Sequence, residues 1–245
     1  MPEITSRPAP PEAATWSDMT VFDAIFTPRA TRIYQRRPVP EDLLTKVLLA
    51  ATFACSSGNT QPWDFVVVTD DGLKGQLKKV MAEAFSLVDA QRAQTADQLI
   101  DGAGRSVTGH AAVENIDVVS AIIFAFWNPD RGIRLLGEYA ENPDGTLRQT
   151  RDIASGRGSS LFPACQNMIL AAQALGLSSL FTTFFGLAER EVKDILGVPA
   201  RMFLESAVFV GYGDEDLKRP RRKPLAQVAH LNHWDTAYAG PEVSS

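Results

Sequence analysis

Apolar residues recur at helical spacing in five segments of the chain, and this period predicts five helices. These helices are expected at 21–26, 41–51, 73–94, 159–175 and 188–196. Short apolar or β-branched runs predict four strands, at 65–68, 118–127, 177–185 and 203–211. The second of these runs is apolar at nearly every position, which indicates a strand buried on both faces of a sheet.

The helix at 159–175 has the clearest apolar stripe. We expect Ser159 or Ser160 to cap its N-terminus, because a serine side chain readily accepts hydrogen bonds from the first turn. Pro163 would then lie in that first turn, where its missing N–H costs little. Gly176 is expected to end the helix.

Two long segments, 95–116 and 129–157, show no sustained period. We expect the first to be a loop or a mobile helical region and the second to be irregular. Irregular stretches of this length in a compact chain are more often functional or mobile than inert. Both segments are therefore candidates for a lid or for part of a binding pocket.

The connection at 54–63 carries more hydrogen-bonding groups than a turn requires. Its sequence is ACSSGNTQPW, with hydroxyls, two side-chain amides and an indole close together. One interpretation is a polar loop with Trp63 anchored in the core. The other is a wall of a site for a planar ligand with polar edges. These residues alone leave both interpretations open.

Two basic clusters lie far apart in the sequence. Arg29 and Arg32 are three residues apart, so in a helix or turn their guanidinium groups face the same way. The second cluster, at 219–223, reads RPRRK. Paired arginines suit a phosphate or carboxylate because each guanidinium offers paired donors. A solvated basic edge is the alternative for either cluster alone.

Composition narrows the class of protein. A net charge of −5 over 245 residues argues against a nucleic-acid-binding surface. No apolar run is long enough to predict a membrane span, and the N-terminus lacks the basic and apolar order of a secretory signal. We therefore expect a cytoplasmic protein, with one domain at 19–236 between flexible tails at 1–18 and 237–245.

Side chains suited to metal or nucleophilic chemistry are sparse. Cys55 and Cys165 are the two cysteines, and both lie in apolar helical contexts where inert burial is expected. We expect no metal site, since His230 and His233 are better explained as solvated or packing residues. A cofactor that supplies its own chemistry needs none of these groups.

Five sequence elements, in consistent order and spacing over residues 20–235, resemble the FMN-dependent nitroreductase family. They are 29–34, 38–40 with the following helix, 54–63, 158–183 and the RKPL sequence at 222–225. The resemblance implies an α+β fold with a largely antiparallel central sheet flanked by helices. It also implies that the domain at 19–236 binds FMN and forms a homodimer, with FMN at the subunit interface.

The resemblance further implies a flavin oxidoreductase. NADH or NADPH would reduce FMN, and a small-molecule electron acceptor such as a nitroaromatic or quinone would follow in ping-pong order. Flavin N5 would carry the chemistry, so no essential acid–base side chain is expected. The shared motifs do not separate this activity from reductive dehalogenation or oxygen-dependent flavin fragmentation. A flavin-binding protein without turnover is a further alternative.

The resemblance assigns cofactor contacts to four parts of the chain. Arginines near both ends would hold the phosphate and ring edge, the loop at 54–63 would contact the flavin, and a threonine pair would face the ring near N5. The implied cofactor-binding residues are Arg29, Ala30, Thr31, Arg32, Ser56, Asn59, Thr182, Thr183 and Arg222. The segments 95–116 and 129–157 are candidates for the acceptor pocket.

Two positions depart from the family pattern. Ala30 stands where a serine is usual and removes a hydroxyl donor. Cys55 stands where a proline is usual and brings a thiol close to the site. Loss of one hydrogen bond costs about 1 kcal/mol, so we expect neither change alone to abolish flavin binding.

Overall fold

The protein is described by a computed structural model over residues 16–94, 105–132, 137–152, 156–218, 222–238 and 240. The chain divides into two compact units, Met1–Glu215 and Asp216–Ser245. Most of the two predicted tails lies outside the described residues, as do residues 95–104 of the first long segment. Residues 133–136 and 153–155 of the second long segment also lie outside them.

The first unit contains six helices and six strands within its described residues. The helices are α1 (Val21–Phe26), α2 (Glu41–Thr52), α3 (Asp71–Gln94), α4 (Arg105–Glu114), α5 (Gly156–Ala174) and α6 (Glu189–Leu196). The strands are β1 (Trp63–Val68), β2 (Ala121–Trp127), β3 (Gly137–Glu141), β4 (Leu147–Asp152), β5 (Ser178–Thr182) and β6 (Phe203–Gly211). Short 3₁₀ turns occupy Ser57–Asn59 and Phe184–Ala188.

A four-stranded sheet organises this unit. Its order is β1-β2-β6-β5, and every neighbouring pair is antiparallel. Helices pack on both faces, so the predicted α+β architecture with a largely antiparallel sheet is confirmed. Residues shortly after α1 extend the sheet, because Ala30 forms a parallel bridge to Ser179 beyond the β5 edge.

The position of β2 between two layers of helices explains why its sequence is apolar at every position. Ile122, Phe124 and Phe126 belong to a core cluster shared with α3 and α4. Ile123 and Ala125 belong to the opposite cluster, shared with α2 and α5. Alternate residues of a strand point to opposite faces, so a strand covered by helices on both sides needs apolar side chains throughout. The predicted doubly buried strand is confirmed, although it begins at Ala121 rather than at residue 118.

The structure narrows one prediction for the segments without a period and corrects the other. Residues 105–114 form the regular helix α4, so the helical alternative holds for this part of the first segment. Residues 137–152 are not irregular, since β3 and β4 pair with each other as an antiparallel hairpin around Gly145, whose φ is +78°. These strands form their own two-stranded sheet, so their sequence lacks the apolar pattern of a strand in the central sheet.

The predicted start of α5 is also wrong. The helix begins at Gly156, so neither Ser159 nor Ser160 is its N-cap, and Pro163 lies inside the helix rather than in its first turn. Glycines at 156 and 158 concealed the extra turn, because glycine is a poor helix former. The expected end is confirmed, with Gly176 in the left-handed region at φ +74°.

The second unit has little regular structure among its described residues. It contains a 3₁₀ turn at Leu225–Gln227 and a bridge between His230 and Ala237. The His230 ring stacks on Trp234 at a centroid distance of 4.6 Å.

Candidate functional site

The segment carrying Arg29 and Arg32 is fixed to the edge of the central sheet. The backbone N–H of Thr31 donates to the carbonyl of Ser179 at 3.0 Å, and the Thr31 side chain is buried. Ala30 is exposed, and its part in this contact is made by its backbone. The segment therefore presents its side chains from a rigid backbone beside β5.

Arg29 holds the end of α1 and retains an unused donor. Its Nη1 lies 3.1, 2.9 and 2.8 Å from the carbonyl oxygens of Phe26, Thr27 and Pro28. Its Nε is buried and has no hydrogen-bond partner within the protein. A buried, unpartnered donor is costly, and an anionic ligand group would satisfy it. Arg29 thus fits a phosphate-binding role.

Arg32 and Thr182 meet at one cavity of about 320 Å³. Most of its lining is aromatic or aliphatic: Phe85, Val88, Gly109, Ala112, Leu180, Phe181, Phe184 and Leu187 complete the wall. Thr182 Oγ1 accepts from the N–H of Phe184 at 3.2 Å, which leaves the hydroxyl proton free to donate. Apolar walls with a few polar groups are typical of sites for planar organic ligands.

Thr183 lies just outside the observed strand, which is shorter than the strand predicted at 177–185. β5 ends at Thr182, and Thr183 (φ −112°, ψ 2°) leads into the 3₁₀ turn Phe184–Ala188. Thr182 is therefore the last residue of the strand, whereas Thr183 is the first residue of the connection that follows it. Thr182 lines the cavity, whereas Thr183 is exposed at its end of the strand.

The loop at 54–63 combines an anchored indole with an exposed polar turn. Trp63 is 5 % exposed and belongs to the core. Asn59 (φ 54°) and Gln61 (φ 47°) adopt left-handed backbone conformations, which non-glycine residues seldom do. Ser56 Oγ accepts from the N–H of Gln61 at 3.0 Å and stabilises this shape. Such strain concentrates at functional sites. The anchored indole is confirmed, and the wall of a ligand site stays a prediction.

One chain does not bring this loop to the arginines. Ala30 lies beyond β5, level with the end of β6, whereas Trp63 begins β1 at the other sheet edge, level with the start of β6. Strand spacing and rise place them on the order of 30 Å apart, comparable with the diameter of a small domain. Within one chain, Ser56 and Asn59 therefore form a different group from Arg29, Arg32 and Thr182.

Arg222 belongs to the second unit, where it is exposed. Its assignment to a phosphate rests on the sequence resemblance and remains a prediction.

One residue at the candidate site, Glu215, could not be predicted from the sequence. Glu215 Oε1 accepts hydrogen bonds from the backbone N–H groups of Arg32 at 2.5 Å and Ile33 at 3.2 Å. This contact joins positions 183 residues apart, and no periodic or motif signal connects them.

The candidate acceptor segments contribute unequally to the described cavity. Gly109 and Ala112 of α4 line it, but none of the β3–β4 hairpin residues whose side chains the structure describes does. A larger cavity of about 670 Å³ lies beside the starts of α2 and α3 and contains none of the candidate residues. Lys74, which lines that larger cavity, is already bound to Val119 O and Asp71. The smaller cavity is therefore the better candidate site.

The two cysteines occupy different environments. Cys165 is fully buried on α5, 3.3 Å from Ser206 Oγ, and desolvation raises the pKa of its thiol from 9.0 to about 11. The prediction of inert burial is confirmed for Cys165. It is wrong for Cys55, which is exposed, because α2 ends at Thr52 and no longer shields the residue.

The raised pKa of the Cys165 thiol predicts a loss of stability at high pH. Between pH 9 and 11 the unfolded thiol ionises while the folded thiol keeps its proton, so rising pH favours unfolding. Wild type should lose on the order of 2 kcal/mol more unfolding free energy over this window than Cys165→Ala. Urea denaturation at each pH measures the difference. Parallel declines in both proteins would contradict it.

Within the described part of the chain, no three His, Cys, Asp or Glu side chains come together as a metal site. None of the helices in this part is long and apolar enough to cross a membrane.

The chain belongs to the nitroreductase family, whose sequence model matches residues 27–212. An NADH dehydrogenase from Thermus thermophilus is 28% identical over 227 residues, which cover 88% of this chain and 97% of that protein. Human iodotyrosine deiodinase 1 is 26% identical over 209 residues, covering 84% of this chain and 66% of the deiodinase.

Solved structures share the fold at lower identity. A nitroreductase with bound FMN from Bacteroides fragilis superposes with a TM-score of 0.59 at 20% identity, covering 88% of this chain and all of that one. An NADPH:FMN oxidoreductase from Vibrio harveyi, in complex with NAD⁺, gives a TM-score of 0.63 at 16% identity. That match covers 89% of this chain and 79% of the Vibrio chain. These likenesses confirm the nitroreductase-like fold.

Proposed function

We propose that the protein is an FMN-dependent oxidoreductase that uses NADH or NADPH to reduce electron-poor acceptors such as nitroaromatics or quinones. The observation that carries the proposal is the cavity lined by Arg32 and Thr182. Arg29, which precedes Arg32 by three residues, adds a buried Nε without a hydrogen-bond partner. Family membership supports flavin oxidoreductase chemistry. The relatives and structures that name NAD(P)H or FMN support these two cofactors.

The described side chains fit FMN by chemistry. Arg29 supplies charge and a free N–H for the phosphate, and Arg32 supplies donors for the polar edge of the ring. The aromatic wall of the cavity would cover the ring, and the hydroxyl of Thr182 would donate to its edge. Bound FMN would supply the redox chemistry by accepting hydride and passing electrons on. The protein groups bind, orient and exclude water.

We propose further that each site is completed by a second copy of the chain. In one chain Trp63, which ends the loop that carries Ser56 and Asn59, lies on the order of 30 Å from Ala30 in the segment that carries Arg29 and Arg32 (the arginine segment). This is too far for both to contact the same small ligand. In a homodimer, the loop at 54–63 of one protomer would meet the arginines of its partner. Exposed apolar side chains of α1 offer an interface: Val21, Phe22, Ile25 and Phe26 are 48–64 % exposed, and such patches mark interaction surfaces.

Flavin binding and turnover test this proposal. The flavin fluorescence of added FMN should fall when FMN binds to the purified protein, and the melting temperature of the protein should rise. Steady-state oxidation of NADH and NADPH with a quinone or a nitroaromatic should then show ping-pong kinetics. Binding of FMN without turnover of any acceptor would favour a flavin-binding protein. No binding and no thermal shift would exclude the proposed function.

Reductive dehalogenation is a second candidate, favoured by the similarity to human iodotyrosine deiodinase 1 over 84% of this chain. Release of iodide from an iodinated phenol by the chemically reduced, FMN-loaded protein tests it directly. Oxygen-dependent flavin fragmentation predicts loss of the flavin absorbance in air after reduction. Stable flavin and no iodide release would leave the acceptor reductase as the remaining activity.

The phosphate role of Arg222 gives a separate prediction. Arg222→Ala should weaken FMN binding by roughly 2 kcal/mol, because a charge-assisted contact to the phosphate is lost. Fluorescence titration measures the dissociation constant, and riboflavin, which lacks the phosphate, is the control ligand. Lys223→Ala is the matched control variant, because Lys223 is an exposed neighbouring cation without an assigned contact. Unchanged FMN affinity in Arg222→Ala would contradict the assignment.

A further inference from the structure

The chain that leaves β6 returns to the arginine segment. The N–H of Gln35 donates to Tyr212 O at 2.8 Å, and the N–H of Asp214 donates to Ile33 O at 3.0 Å. Tyr34 and Gly213 form an antiparallel bridge between the two strands of backbone. This short ladder carries Glu215, the last residue of the first unit, to the backbone of Arg32.

Close packing fixes the position of this returning segment. A Cβ added at Gly213 would lie 2.8 Å from Ser178 Oγ and 3.1 Å from Thr31 Cγ2. The backbone of Gly213 therefore sits directly against β5 and the arginine segment, where a larger residue would not fit. Glu215 reaches Arg32 from a rigid support.

A single oxygen of Glu215 accepts two successive backbone N–H groups. Oε1 lies 2.5 Å from Arg32 N and 3.2 Å from Ile33 N. Both N–H groups lie within hydrogen-bond distance of this one oxygen, so the position of the oxygen, which an amide oxygen could also occupy, determines the orientation of both donors. The carboxylate thereby fixes two consecutive peptide planes.

The Arg32 side chain is left for another partner. Its Nη1 donates to the carbonyl of Ala30 at 2.8 Å, while the carboxylate of Glu215 is engaged by backbone. The side chain also lines the cavity that contains Thr182. Glu215 thus orders the backbone of Arg32 while the guanidinium is held in place through Ala30.

We propose that Glu215 is a positioning residue that fixes the backbone of Arg32 and Ile33 and so directs the Arg32 guanidinium to the edge of the flavin ring. The inference rests on the proposed FMN site. It assigns to Glu215 a role in cofactor binding that acts through geometry rather than through its charge.

Two substitutions separate geometry from charge. Glu215→Gln keeps an acceptor oxygen at the same reach and removes the charge. Glu215→Asp keeps the charge and withdraws the carboxylate by one methylene. Positioning predicts that Glu215→Asp weakens FMN binding about tenfold and that Glu215→Gln stays within about threefold of wild type. Asp214→Asn is the matched control, because Asp214 is an exposed neighbouring carboxylate whose backbone alone makes the ladder bond.

Hydrogen exchange provides a readout that is independent of flavin. The amide protons of Arg32 and Ile33 should exchange about tenfold faster in Glu215→Asp than in wild type, and at nearly wild-type rates in Glu215→Gln. Rates across β2 should be equal in all variants if the core is intact. If Glu215→Asp does not fold, Glu215→Asn, shortened by the same methylene, replaces it with the same expectation.

The outcomes distinguish this inference from the proposed function. Wild type that binds no FMN overturns the proposed function and the inference together. Wild type that binds FMN, with Glu215→Asp binding equally well, overturns only the role of Glu215. Glu215→Gln binding as weakly as Glu215→Asp also overturns it, because charge rather than geometry would then control affinity.

Discussion

Arg29→Ala is expected to weaken FMN binding by about 3 kcal/mol, a roughly 150-fold rise in the dissociation constant. The wild-type side chain offers a buried Nε without a protein partner, and its charge favours a phosphate. Removing it takes away both the hydrogen bond and the charge. Isothermal titration with FMN and with riboflavin measures the effect, and only the FMN affinity should fall.

The same substitution should also lower the stability of the apoprotein. Nη1 of Arg29 lies within 3.1 Å of the three carbonyls of Phe26, Thr27 and Pro28. Arg29→Lys separates the two roles, because an ammonium can hold these carbonyls but lacks the second arm of the guanidinium. The lysine variant should keep most of the melting temperature and still bind FMN weakly. Riboflavin affinity that falls as steeply as FMN affinity would contradict the phosphate assignment.

The sequence predicted those parts of the fold that depend on local pattern. The apolar run of β2 arises because helices cover both faces of the sheet at that strand. Gly176 and Gly197 mark helix ends because each adopts a left-handed φ, +74° and +66°. In these places one residue or one period is sufficient to determine the local structure.

The periodicity of apolar residues could not predict which strands pair with each other. The β3–β4 hairpin is joined in a sheet of its own, so its residues carry no apolar alternation to reveal it. The start of α5 was missed because glycines at 156 and 158 are helical despite their low propensity. Both errors occur where tertiary context overrides local preference.

In the candidate site, too, local sequence pattern predicted some residues and tertiary contacts determine others. The motif at 29–32 could be found by sequence, and the structure fixes it to β5 through Ser179. Glu215 could not be found in this way, since its contact with Arg32 spans 183 residues. The separation of Arg32 from Asn59 likewise depends on strand order, which no local pattern encodes. Only the order β1-β2-β6-β5 places the two groups at opposite sheet edges.

Strand order also decides how a complete site is assembled. If the arginine segment and the loop at 54–63 serve one flavin, two protomers must supply them. Each dimer would then contain two equivalent sites, each built from the arginines of one protomer and the loop of its partner. This arrangement predicts complementation between two defective variants.

Mixed dimers of two FMN-deficient variants should recover binding. One variant is Arg29→Ala, and the other is Ser56→Ala with Asn59→Gly, where glycine accommodates the left-handed φ of 54°. In a mixed dimer both lesions fall in one site and the other site is wild type. Co-expression with two affinity tags isolates the mixed species, which should bind one FMN per dimer with wild-type affinity.

The two parental homodimers are the controls, because each carries one lesion in both of its sites. At an FMN concentration that saturates wild type but neither variant, they should remain mostly empty. A site built within one chain predicts the opposite for the mixed dimer, since each of its sites would keep a single lesion. Recovery of one tight site per mixed dimer therefore requires that the loop of one protomer meets the arginines of the other. Absence of recovery would overturn the two-protomer site, because each site would then be built within one chain.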